Sequence, residues 1–567
     1  MQSSLLALWN EIPPYVRIRL LVGSTGSTQL IDVAETALRA ASESMESGNA
    51  NMTKTLLHLT RSAMVDAWTE SPANLGLANQ LVAVGARVAA VVGEDKSPLL
   101  HVLSRCGTRY DVDVDTRYYL RTLQKNDTEK AGQYCSTQFG KSGNYFWLDK
   151  VHELALQDHR PDVLDAFLQQ HDEVLHRPVS TLLHAEAAYL AHDYARAESI
   201  YRTIENDPVL AECTPAFLPR RAEMQYRQGH RGDCLAFLRQ ALQRRPLTAH
   251  LTYRLFDLLS ETDTAITVPS GRTAVLLYTY NKAEVLEKTL ESLCGTDLPG
   301  VRLVVLDNAS TDGTKDVLAK YAALLPSFQV VTLPVNIGAP AARNWLMALP
   351  EVQECDHIAY LDDDVLLPSD WLGRLYAGFD RYPEAGVIGA RIADAVSPDA
   401  LQAVGFHLLA SLYPASGNIP LDDPLFDLAA IHSQSADSGQ FRLMSPCTSV
   451  MGCCHLFKTE TLNTVGPFDI RFNPTQFDDV DHDLRLSLQG RSPVYQGHLR
   501  VEHMSTLQGN RFVSGSKLGN SAANKHKLQT KYSLKELTQL ATFQYETIES
   551  DFFEKLRHVV AAECMDG

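Results

Sequence analysis

The sequence predicts a chain in two halves, an all-helical first half and an α/β second half built on a mostly parallel sheet. Three observations point there. Apolar residues recur at helical spacing up to about residue 262. Within that half, one pattern of small and aromatic residues repeats at about 34 residues. From about residue 272 the pattern changes to short β-branched runs alternating with amphipathic segments. Such alternation is the signature of a sheet with helices on both faces.

In the first half, Leu30–Met45 and Asn79–Val92 carry apolar residues on one helical face, and residues 1–147 read as a helical domain without a chemical motif. In HAEAAYLAHDYARAESIYRTI, Tyr189, Tyr194, Ala197 and Tyr201 fall at helix-turn-helix positions. Their counterparts are Ala155, Arg160, Val163 and Phe167 upstream, and Tyr226, Arg231, Cys234 and Leu238 downstream. Small or aromatic residues stand where paired helices approach, so residues 148–262 resemble tetratricopeptide repeats. Such repeats either offer a concave surface to a protein or peptide, or form a packing scaffold.

The polar stretch Glu261–Arg272 breaks the helical pattern. Strands follow at Ala274–Tyr280, Val301–Leu306, Gln329–Leu333 and His357–Leu361, with helices at Lys282–Leu293, Asp316–Leu325 and Ala341–Leu349 between them. Ligands on such sheets sit at the carboxyl ends of the strands. The loops after Tyr280, Leu306 and Leu361 therefore share one edge.

Composition narrows the function. The 567 residues are 45% hydrophobic and 21% charged, ordinary values for globular protein. A formal net charge of −17 disfavours nucleic acid and anionic lipid as partners. An anionic small molecule would need a metal ion or local Lys and Arg. Ten cysteines without a CxxC pair read as reduced thiols, which suggests the cytoplasm. No basic and apolar leader opens the chain, and no apolar run reaches 18 residues, so neither a signal peptide nor a membrane span is expected.

The three loops are polar in a particular way. The first gives Thr279, Tyr280 and Asn281, the second DNASTDGT from Asp307, and the third Asp362, Asp363 and Asp364. Asp307 leaves a buried strand, where its carboxylate can accept a base N–H such as that of uracil, thymine or guanine. It can equally cap the next helix. Asp362 and Asp364 lie two residues apart, roughly 7 Å on one side of an extended chain, and a bend would bring both to one hard cation. Mg²⁺ or Mn²⁺ held so could bridge to a diphosphate and offset charge on a leaving group. A solvated turn is the plain alternative.

Phe477–Gly490 (FDDVDHDLRLSLQG) reads as a helix start. Asp478 and Asp479 at its N-terminus would stay ionised, as a general base must; simple capping is the alternative. His503, in VEH, could add an imidazole to the metal. His407, His432, His455, His482 and His498 compete with it in the same region.

In order, these pieces are TYNKAEVLEKTLESL, VVLDNASTDGT, NIGAPAARN, YLDDDV, GCCHLFKTETLNTVGPFD, FDDVDHDLR and VEH. Together they resemble the family-2 glycosyltransferases of GT-A fold over roughly residues 273–504. The resemblance implies an α/β nucleotide-diphospho-sugar transferase domain that inverts the anomeric centre by single displacement. Thr279, Tyr280 and Asp307 would line the base pocket, and Asn281 would belong to the nucleotide-sugar site beside them. Asn336, Gly338, Arg343 and Asn344 would border the nucleoside and phosphates, with Asp363 beside the donor. Asp362, Asp364 and His503 would bind Mn²⁺ or Mg²⁺, and Asp479 would be the base. Many members have Glu-Asp where this chain has Asp478-Asp479, so Asp478 remains a rival base and Asp481 a weaker one.

The expected organisation is a helical domain at 1–147, repeats at 148–262, a GT-A domain at 270–515 and a helical tail at 516–567. Ser411–Gln440 is a candidate lid or acceptor loop, or a passive insertion. Leu537, Leu540, Phe543 and Phe553 of the tail would pack on the GT-A domain. A nucleotide-sugar donor, UDP-sugar favoured, and a glycan, protein or peptide acceptor, which the repeats could hold, are the implied partners. The alternatives are a repeat scaffold with a degenerate catalytic domain, and a nucleotidyltransferase that would release pyrophosphate.

Overall fold

A computed structural model of the chain describes residues 2–92, 97–106, 109–269, 271–296, 300–325, 327–397, 399–408, 427–429, 431–433, 436–505 and 515–565. Most of the expected lid at 411–440 lies outside them.

Helices fill the first half, from Gln2–Glu11 to Ala249–Leu259. Ser27–Glu46 and Ala50–Glu70 form a hairpin, turned at Gly48 (φ 78°) and capped by Asn49, which accepts the Met52 N–H. Further pairs follow, Arg177–Leu190 with Tyr194–Asn206, and Thr214–Arg227 with Arg231–Arg244. Ala155 and Phe167, on the preceding helices Phe146–Gln157 and Pro161–His171, and Ala197, Tyr201, Cys234 and Leu238 on these pairs are all buried.

The second half holds one mixed sheet. Its strands are β1 (Thr273–Thr279), β2 (Val301–Asp307), β3 (Phe328–Thr332), β4 (His357–Leu361), β5 (Val365–Leu366), β6 (Val387–Asp394), β7 (Leu401–Ala403), β8 (Met444–Pro446), β9 (Cys454–Lys458) and β10 (Pro493–His503). The order is β3-β2-β1-β4-β9-β6-β10-β5, with β7 beside β6 and β8 beside β10. Strands β1 to β4 pair in parallel, as the helix-strand alternation requires. That alternation stops at β4, and β9 then inserts antiparallel between β4 and β6. The sheet is therefore less parallel than expected.

Both faces of the sheet are buried, so β1 is a continuous apolar run. Val275 and Leu277 pack under helices Ala283–Cys294 and Trp371–Arg381, while Ala274 and Leu276 pack under helix Ala339–Met347.

The tail forms helices Gly515–Lys531 and Leu534–Met565. Leu540, Phe552 and Leu556 are fully buried in a core shared with Trp9 and Tyr253 of the helical half and Leu484 of the second half. Leu537 is buried too, and Phe553 is partly so. The tail thus packs on both halves rather than on the sheet domain alone. No described helix is long and apolar enough to cross a membrane. Nine of the ten cysteines, Cys106 to Cys454, are free thiols.

Polar side chains of helices Arg177–Leu190, Thr214–Arg227 and Ala249–Leu259 bind the sheet half directly. Glu223, fully buried, accepts Arg227 Nε at 2.7 Å and Arg442 Nε at 2.9 Å on one oxygen, and an Arg254 N–H at 2.6 Å on the other. Tyr189 donates its hydroxyl to the Asp437 carbonyl at 2.8 Å, and Arg227 reaches Asp399 at 2.9 Å. Arg391 of β6 pairs with Asp437 at 2.7 Å. Tyr189, Glu223 and Arg227 are thus engaged by the sheet half.

Candidate active site

Chain direction builds the site. β1, β2 and β4 run in register, Thr279 beside Asp307 and Leu277 beside Leu361, so their three polar loops open at one edge. Asn281, in left-handed backbone (φ 52°), accepts the Thr311 N–H at 2.7 Å, and its own N–H reaches Ser310 Oγ at 3.0 Å. This ties the first loop to the second. Tyr280 is half-exposed at the rim.

Asp307 is fully buried. Its Oδ1 accepts the Ser310 N–H at 2.8 Å, the turn role expected as one alternative. Its Oδ2 is buried with no hydrogen-bond partner. A native acceptor left so is unusual and costs about 1–3 kcal/mol. A donor from outside the chain would relieve it.

The third loop separates its three carboxylates. Asp362 and Asp364 meet His503 of β10, with ligand atoms of all three within 4.8 Å of one another. Asp364 Oδ1 lies 3.0 Å from His503 Nε2 and takes no hydrogen bond from any other group. Two carboxylates and one imidazole converging on one point is a donor set that suits Mn²⁺ or Mg²⁺. Burial opposes ionisation of Asp364, but the contact with His503 and the charges of His503 and Lys282 hold it below the usual carboxylate range. His503 is raised by Asp364 against the opposite effect of its own burial. None of the competing histidines joins the cluster. Asp363 points elsewhere: it is buried and pairs with Lys282 Nζ at 2.8 Å, and the same ammonium reaches Asp364 Oδ2 at 2.9 Å.

The NIGAPAARN segment forms the opposite wall. Asn336 Oδ1 accepts the Gly338 N–H at 2.9 Å and an Asn308 amide hydrogen at 3.0 Å. Gly338 has φ 82°, and a Cβ there would meet Asn473 Oδ1 at 2.4 Å, so only glycine fits. Arg343, one helical turn on, is buried. It donates to Asp478 at 2.6 Å, to the Gly452 carbonyl at 3.2 Å and toward Asp362 at 3.5 Å, and lies over the rings of Tyr278 and Phe468. Asn344 does not turn to the cleft. Its amide exchanges two 2.8 Å hydrogen bonds with the Phe468 backbone, which pins that loop to the helix.

Helix Asp478–Leu488 starts after two left-handed residues, Gln476 and Phe477. Burial pushes Asp478 up to about 6 even though Arg343 opposes it. Asp479 is less buried, accepting the Gly452 N–H at 2.9 Å on Oδ2. Asp481 is fully buried and held by Lys531, Tyr532 and Arg485, which removes it as a base.

Tyr278, Lys282 and Gln402 belong to this site and were not singled out from sequence. Tyr278 donates its hydroxyl to Asp362 at 3.1 Å. Its apolar strand context hid it. Lys282 stands in the TYNK motif, where a cation beside three aspartates is a usable signal. Gln402 lies far along the chain from its partner His503 and gave none.

Residues 274–461 match the model of Glycosyl transferase family 2. A protein of Bacillus subtilis (strain 168) named for teichuronic acid biosynthesis, TuaG, is 35% identical over 91 residues, 16% of this chain and 35% of its own. This chain thus spans about a third of that relative's length. The N-acetylglucosaminyl-diphospho-decaprenol L-rhamnosyltransferase of Mycobacterium tuberculosis (strain ATCC 25618 / H37Rv) is 27% identical over 254 residues, 40% of this chain and 75% of its own. Among solved structures, the mannosyltransferase PcManGT from Pyrobaculum calidifontis, in complex with GDP-Man and Mn²⁺, aligns with a TM-score of 0.34 and 16% identity over 59% of this chain and 88% of its own. With the family match over β1 to β9 and the polar loops gathered at one sheet edge, the chain carries a family-2 glycosyltransferase domain of GT-A fold behind a helical half.

Proposed function

We propose that the chain is a metal-dependent, inverting glycosyltransferase that moves a sugar from a nucleotide-diphosphate donor, UDP-sugar favoured, to a glycan or protein acceptor. The observation that carries the reading is the meeting of Asp362, Asp364 and His503 within 4.8 Å. The unpartnered Asp307 Oδ2 two strands away adds a seat for a base N–H.

In this reading Thr279, Tyr280, Asn281 and Asp307 hold the base, and Asn336 and Gly338 shape the wall beside the nucleoside. Asp362, Asp364 and His503 hold Mn²⁺ or Mg²⁺, which when bound would offset negative charge on the leaving diphosphate. Lys282 and Arg343 supply further positive charge beside the same carboxylates. Lys282 stays protonated, because Asp363 and Asp364 outweigh the burial that works against its charge.

Asp479 is the preferred base. Asp478 is buried and committed to Arg343, whereas Asp479 is anchored through one oxygen to the Gly452 N–H and is less enclosed. Asp479 would take the acceptor proton as the acceptor oxygen attacks the anomeric carbon opposite the diphosphate. Asp478 then keeps Arg343 in place, and Arg343 through Gly452 keeps the loop that orients Asp479. The tetratricopeptide-like region at 148–262 acts as the scaffold of the 270–515 domain.

The test is release of nucleoside diphosphate from a panel of UDP-, GDP- and dTDP-sugars. Asp479→Asn is expected to lower turnover about 10²- to 10⁴-fold while donor binding persists. Turnover equal to wild type in Asp479→Asn would remove it as the base. Release of pyrophosphate instead would indicate nucleotidyl transfer.

A further inference from the structure

His503 is useful to a cation only if Nε2, the nitrogen facing Asp364, carries its lone pair when neutral. Nε2 itself faces Asp364 Oδ1 at 3.0 Å, so the partner of the other nitrogen weighs on the outcome. Nδ1 lies 2.7 Å from Gln402 Oε1. The Gln402 amide has one workable orientation, because its nitrogen is surrounded by acceptors: Asp394 Oδ2 at 3.0 Å, the Ser505 carbonyl at 3.0 Å and the His503 carbonyl at 3.3 Å. Turned over, the amide would lose all three of these hydrogen bonds and set its oxygen against three acceptors, keeping only a donation to Nδ1. Asp394 cannot swing away, since its Oδ1 accepts the N–H groups of Val396 and Ser397 at 2.8 and 2.9 Å. Gln402 therefore presents an acceptor to Nδ1, and Nδ1 must donate.

We propose that Gln402, fixed by Asp394 at the pairing of β6 with β7, is the positioning residue that holds His503 as the Nδ1–H tautomer and aims Nε2 at the divalent cation shared with Asp362 and Asp364. This rests on the metal-site reading given under the proposed function. Ligating histidines are commonly oriented through the opposite ring nitrogen, and loss of such a partner weakens metal affinity about 10- to 100-fold. Here the chain supplies a neutral amide rather than a carboxylate. The imidazole is thereby oriented without another negative charge beside Asp364.

Two measurements on the full chain test it. In ¹⁵N-histidine spectra, the His503 signal is assigned by its absence from His503→Asn. Above its titration, wild type is expected to show Nδ1–H, and Gln402→Leu to lose that bias. A wild-type signal from the Nε2–H form would overturn the proposal, with no metal needed. Second, Mn²⁺ affinity is read from the electron-spin resonance of free Mn²⁺. Gln402→Leu is expected to weaken binding about 10- to 100-fold, and equal affinity in the two proteins would overturn the proposal. If wild type binds no Mn²⁺, the metal-site reading fails, while the tautomer measurement still decides what Gln402 does.

Discussion

The single guanidinium of Arg343 reaches Asp478, Asp362 and the loop at Gly452, and both Arg343 and Asp478 are buried. Removing one partner of a buried pair costs about 3–5 kcal/mol, because the other is left charged and alone. Arg343→Ala is therefore expected to destabilise by about that much in denaturant titration. Arg343→Ala with Asp478→Asn should recover part of the loss, and a double variant no better than the single would contradict the pairing. Far from the cleft, burial pushes Glu70 up to about 7 against the opposing charge of Arg220, and its Oε2 has no partner. A carboxyl with a raised folded value binds more protons folded than unfolded. Its contribution is intact below about pH 4.5 and is lost as pH rises through about 7. Glu70→Gln should thus raise stability at pH 8 by up to about 3 kcal/mol and leave it little changed at pH 4. Equal melting curves at pH 8 would show that Glu70 is ordinary. Neither residue's behaviour is legible in sequence. NIGAPAARN marks Arg343 as near the donor, but only the fold reveals that its partner is Asp478.

The elements of the sheet domain were the legible part. Expected strands at Ala274–Tyr280, Val301–Leu306, Gln329–Leu333 and His357–Leu361 lie within a residue of β1 to β4, because buried strands between helices give strong local contrast. The strands beyond β4 were not legible, since β9 and β10 find their partners through long-range packing rather than local period. The tail helix Gly515–Lys531 is another case. Its Asn524, buried, donates to the carbonyls of Phe472 and Thr475 at 2.7 and 2.8 Å, just before the left-handed pair Gln476 and Phe477 that aims helix Asp478–Leu488. Sequence periodicity marked the tail as packed but not which loop it grips. Asn524→Ala is expected to lower kcat roughly 10- to 100-fold through misplacement of Asp479. Unchanged kcat would mean that the loop holds itself.

Across the whole molecule, the helices and the sheet meet through a buried charge network besides the chain connection at 261–272. Glu223, Arg227 and Arg254 of the helical half meet Arg442, Asp399 and the 437–438 carbonyls of the other. The tail seals the same seam: Lys555 Nζ reaches Asp551 at 3.1 Å and Tyr382 at 2.7 Å, and all three are buried or nearly so. A fragment of residues 270–515 would expose Arg391, Asp437 and Arg442 together with their apolar surroundings. It is expected to lack a cooperative unfolding transition, whereas the full chain should melt as one unit. A fragment that folds cooperatively and binds nucleotide would contradict the shared core. The change of pattern near residue 272 correctly located where helices give way to strands. It could not show that the two sides share charges.

A metal-dependent donor site is best tried by calorimetric titration of UDP, GDP and dTDP into the full chain, with and without Mn²⁺, for wild type and Asp364→Asn. One nucleotide is expected to bind wild type only when the metal is present, and that binding should be lost in Asp364→Asn. Binding that ignores both Mn²⁺ and Asp364→Asn, or no binding at millimolar nucleotide, would contradict a donor site built on Asp362, Asp364 and His503.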